Sequence, residues 1–100
     1  MKPRNLEEII NKKRYRTENS ILLASDAYWD GNNWERQGRN QFLFKTSKGN
    51  YFMQYQSCLQ GERDYIEAVS TDEAIFKYEE LPEKEVSFEE AFPGVELEEA

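Results

Sequence analysis

The chain contains no histidine and a single cysteine, Cys58. Without an imidazole, Ser-His and Cys-His nucleophilic pairs lose their base. A lone thiol has neither an intramolecular disulfide partner nor a second thiol for a zinc site. Cys58 is therefore expected to be a buried strand thiol in a reduced, cytosolic protein. Glycine is scarce, and Gly31, Gly38, Gly49, Gly61 and Gly94 each stand singly in turn-like surroundings, so no Gly-rich phosphate loop exists. No stretch approaches the ~20 apolar residues of a membrane span. The basic start Met1-Lys2-Pro3-Arg4-Asn5 leads only to Ile9-Ile10, not to the apolar core of a signal peptide. Carboxylates remain, but Asp26, Asp30 and Glu35 match no EF-hand spacing. A domain this small rarely forms the cleft that a glycosidase carboxylate pair needs. The expectation is a cytoplasmic protein that is not an enzyme and takes no metal or cofactor.

Residues 1–100 suit one domain, with 1–5 and 95–100 expected to be loosely held. Such a chain buries only about two-thirds of the surface its unfolded form exposes, so its core is small. The aromatic residues clustered between Tyr28 and Tyr55 let few side chains fill it.

Glu8-Ile9-Ile10 and Lys13-Arg14-Tyr15-Arg16 predict two short strands around the polar turn Asn11-Lys12. Thr17 is a suitable N-cap, which predicts a short helix through Glu18, Ile21, Leu22 and Ser25. Residues 30–41 form the longest polar loop and carry Trp34. Trp29, beside Tyr28, fits the core; Trp34 suits either an interface anchor or a ring folded over the sheet. The aromatic runs Gln41–Ser47 and Tyr51–Cys58, around Lys48-Gly49-Asn50, predict a hairpin. Phe42 and Phe44 share one face of its first strand; Phe52 and Gln54 oppose Tyr51, Met53 and Tyr55 on its second. After the Gln60-Gly61-Glu62-Arg63 turn, Tyr65–Val69 returns as a third strand. Ser70-Thr71-Asp72-Glu73 is a capping box, and Ala74, Ile75, Tyr78 and Leu81 follow at helical spacing up to Pro82. A second cap, Ser87-Phe88-Glu89-Glu90, opens a helix ended by Phe92-Pro93-Gly94. The fold class is α+β: an antiparallel meander of three to five strands, with a short N-terminal helix and C-terminal helices packed on it.

Charge is unevenly placed. Lys2, Arg4, Lys12, Lys13, Arg14 and Arg16 make the first sixteen residues basic, whereas from Glu79 onward nine glutamates face Lys84 alone. With a net charge of −7, direct nucleic-acid binding is disfavoured, and a basic protein surface is the natural partner. The acidic third has two readings. Its carboxylates can simply solvate exposed helix faces. Alternatively, Glu79, Glu80 and Glu83 at helical spacing, with Glu89 and Glu90, imitate a phosphate backbone and compete for the Lys/Arg channel of a DNA-handling protein.

The segments Lys13-Arg14-Tyr15-x-Thr17-Glu18, Tyr28-Trp29-x-Gly31, Phe42-Leu43-Phe44-Lys45-Thr46-x-Lys48-Gly49-x-Tyr51-Phe52 and Ser70-x-x-Glu73-Ala74 resemble a loose family of small bacterial, plasmid and phage proteins. The resemblance implies a short hairpin, a helix, a β-meander and a closing helix. It supplies no catalytic residue. Proteins of this size and acidity on mobile elements include anti-CRISPR inhibitors, so it implies an inhibitor whose acidic face blocks DNA binding by a CRISPR effector complex. The other expectation is a housekeeping or self-associating module, monomer or homodimer, contacting its partner through the aromatic hairpin and Trp34.

Overall fold

The computed structural model describes residues 3–26, 39–57 and 59–100. The expectations placed on Tyr28, Trp29, Asp30, Gly31, Trp34, Glu35, Gly38 and Cys58 lie outside them.

The polar turns close hairpins as their chemistry requires. Asn11 and Lys12 both adopt positive φ, 52° and 66°, and join β1 (Glu7–Ile10) to β2 (Lys13–Arg16). Two successive residues in this region give a two-residue hairpin the correct twist, but a lysine there is strained by roughly 1–2 kcal/mol relative to glycine. Gly49, at φ 86°, closes the turn between β4 (Arg39–Lys45) and β5 (Tyr51–Ser57). Between those hairpins lies β3 (Ile21–Ser25); β6 (Tyr65–Val69) and the two-residue β7 (Glu83–Lys84) complete the set. The larger sheet is antiparallel in the order β6-β5-β4-β3-β7, and β1-β2 form a separate pair.

The expected N-terminal helix is replaced by β3. Thr17 caps nothing: its hydroxyl accepts from Leu6 N at 2.9 Å, and Thr17 to Ser20 form a turn. Leu22 pairs with Phe44 and Ala24 with Leu43, so Leu23 is an extra, bulged residue. The bulge places Leu23 and Ala24 in the same core cluster and removes the alternation that marks a strand.

Period-two alternation along β4 and β5 builds two cores. Leu43, Tyr51 and Met53 face the helical side; Phe42, Phe44 and Phe52 face the other. On the helical side, α1 (Thr71–Glu80) starts at the Ser70 capping box, with Glu73 N donating to Ser70 Oγ and Ser70 N donating to Glu73 Oε1. It buries Ala74 and Tyr78, and Leu81 closes it. The short α2 (Phe88–Ala91), capped by Ser87, delivers Phe92 into the same core, where its ring meets Tyr51, Tyr78 and Phe88. On the other side the β1-β2 hairpin covers the phenylalanines: Tyr15 meets Phe52 edge-on, and Phe44 stacks on Phe52, its cross-strand partner. A sheet covered on both faces leaves the hairpin aromatics Phe42, Phe44 and Phe52 buried.

Before β1, Arg4 is bonded to the sheet. Arg4 N donates to Gln56 Oε1 at 2.9 Å, and Gln54 Nε2 donates to Arg4 O at 2.8 Å. The Arg4 guanidinium also bonds Ser57 O and both carboxylate oxygens of Asp64. Extended backbone on a sheet face needs partners for its polar groups, and the two glutamines supply them. Residues 95–100 are exposed and form neither helix nor strand.

Candidate functional site

The five acidic candidates lie on α1, β7 and α2, not on one helical lattice. Glu79 and Glu80 end α1, but Pro82 stops the helix, and Glu83 lies on β7 opposite Ser25. Glu83 is therefore not at helical spacing from the other two. Glu89 and Glu90 occupy the first turn of α2, where Glu90 N donates to the Ser87 hydroxyl. All five side chains are exposed. The elements meet at Tyr78: burial raises its pKa first, and the charges of Glu89 and Glu90 push the same way. Its hydroxyl donates to Val86 O at 2.6 Å.

Lys77 and Lys84, the lysines nearest these glutamates in sequence, form no ion pair with them. The Lys84 ammonium donates to the carbonyls of Leu81 and Glu79 and sits over the Tyr78 ring at 5.0 Å, so it caps the helix C-terminus. Lys77 turns toward the sheet and donates to Gln41 Oε1 at 3.5 Å. Among the described residues, the ion pairs are Arg4–Asp64, Arg14–Glu7, Arg16–Glu7 and Arg39–Glu62, and none involves the acidic third.

Phe76 adds a feature that the sequence expectations omitted. It is 60% exposed on the outer side of α1. Its helical neighbours at −4, −3, +3 and +4 are Asp72, Glu73, Glu79 and Glu80. Positions three and four apart on a helix stand roughly 5–6 Å apart at Cβ, so four acidic positions flank Phe76, with the Glu73 carboxylate turned back to Ser70 N. The signal was present: Phe76 is the large apolar residue of the helix that falls off the Ala74-Ile75-Tyr78-Leu81 stripe.

The other candidates serve the scaffold. Asp26 Oδ1 accepts from Gln41 N at 2.8 Å and from the Asn40 side chain, joining two strand ends. Trp34 lies outside the described residues. Of the β4–β5 hairpin aromatics, Tyr55 alone is partly exposed, stacked on Tyr65. Among the described residues no three His, Cys, Asp or Glu side chains gather to hold a metal ion, and no helix is long and apolar enough to cross a membrane.

Comparison with protein-family models, with curated proteins and with solved structures yields no match to this chain.

Proposed function

We propose that the protein binds a basic nucleic-acid-handling surface of another protein through the outer face of α1 and blocks nucleic-acid access to it. The observation that carries this reading is the exposed Phe76 flanked by acidic helix positions, with Lys77 and Lys84 both turned to uncharged acceptors. Single-stranded nucleic acid offers flat rings for stacking and phosphate charge for Lys/Arg grooves. A phenyl ring flanked by carboxylates offers both elements on a rigid support. An aromatic anchor inside a polar rim is also the usual composition of a protein-binding hot spot. Glu83, Glu89 and Glu90 extend the negative field beyond the ring and favour encounter with a basic partner. The mobile-element resemblance makes a CRISPR effector complex the partner to test first, with the chain acting as an anti-CRISPR inhibitor.

The test is DNA binding by a purified effector complex titrated with the full chain. Wild-type protein should displace DNA, more weakly as salt rises. Phe76→Ser and the Glu79→Lys/Glu80→Lys pair should each weaken inhibition by roughly tenfold or more. Full DNA binding at saturating protein, for every effector assayed, would sink the proposal. Inhibition lost in Trp34→Ala but kept in the α1 variants would move the contact to Trp34.

A further inference from the structure

We infer that the cleft between the β1–β2 turn and the β4–β5 turn binds a phosphorylated small molecule through its phosphate oxygens. The cleft, open to solvent, has a volume of about 500 Å³ and is lined by Lys12, Lys13, Arg14 and Lys48, with Asn19 and Asn50 as further donors. In a chain with 20 acidic and 13 basic residues, lysines have no shortage of partners. Yet Lys12, Lys13 and Lys48 form no ion pair among the described residues, and Arg14 and Arg16 share the single carboxylate of Glu7, at 3.4 and 2.8 Å. Positive charge at this site therefore exceeds its local compensation. Lys12 is placed there against its own conformational preference, since its φ of 66° is one that glycine adopts without strain. The volume fits a nucleotide-sized ligand. An extended polyanion fits less well, because its affinity rests on many phosphate contacts and the whole chain carries −7.

Titration of the ¹⁵N-labelled full chain with sodium pyrophosphate at low ionic strength tests the assignment. Saturable shifts are expected in residues 11–14 and 47–50, with binding weakened roughly tenfold by Lys48→Gln and by Lys12→Gly. Lys12→Gly should retain or raise the melting temperature, which separates lost binding from lost folding. Shifts that match those from sodium chloride at equal ionic strength, or that persist unchanged in both variants, overturn the inference. Tighter binding of a single-stranded oligonucleotide than of pyrophosphate at these residues overturns it too.

Discussion

The Tyr51 hydroxyl donates to the Ala91 carbonyl at 2.7 Å, across 40 residues of sequence, and so ties α2 to the central strand β5. Both residues are buried, so the carbonyl has no water to turn to if the hydroxyl is removed. Tyr51→Phe should cost about 1 kcal/mol, read from urea denaturation as a lower midpoint at unchanged m-value.

Two phenylalanines on the helical side should behave oppositely. Phe92 is 1% exposed within the core, and Phe92→Ala should destabilise by roughly 3–5 kcal/mol. Phe76→Ser should change stability by no more than about 0.5 kcal/mol, because its ring is mostly in water. Equal destabilisation by both would make Phe76 a packing residue and remove it from the proposed interface.

Alkaline pH should loosen the fold through Tyr55. Burial, followed by the charge of Glu67, whose Oε1 accepts the hydroxyl at 3.3 Å, pushes the Tyr55 pKa up to about 12. In the unfolded chain the phenol ionises near its ordinary value of about 10. The folded state thus holds a proton that the unfolded state releases, so this contribution is complete below pH ~10 and is lost as pH rises toward ~12. Tyr51 and Tyr78 are shifted in the same direction. Tyr55→Phe should therefore flatten, without abolishing, the fall in stability measured by denaturation between these pH values.

Wherever neighbours in sequence dictate local geometry, the structure was legible from residues alone. The Asn11-Lys12 turn, the aromatic hairpin, the Tyr65–Val69 strand and the Ser70 capping box each carry their own cause. Ile21–Ser25 failed because Ile-Leu-Leu-Ala is a short apolar run that suits a buried helix or a buried strand equally. The choice is made by distant partners: Phe42 to Lys45 on one side and Glu83-Lys84 on the other. β7 itself has no local signal, since two residues after a proline become strand only by meeting the edge of β3. The acidic third was visible as composition, but its arrangement was not. Pro82 breaks the helix before Glu83, and only the structure shows that Lys77 and Lys84 bond uncharged acceptors and not these carboxylates.

Arg4 reaches its partners Gln54 and Gln56 across 50 and 52 residues of sequence. A ribosome adding about 5–20 residues per second makes the early hairpin wait roughly 3–10 s for the strand it will cover. During that interval Leu6, Ile10 and Tyr15, later packed against the phenylalanine core, have nothing to lie on. Lys12, Lys13, Arg14 and Arg16 lie between and beside them, and charge at such positions disfavours association of exposed apolar segments.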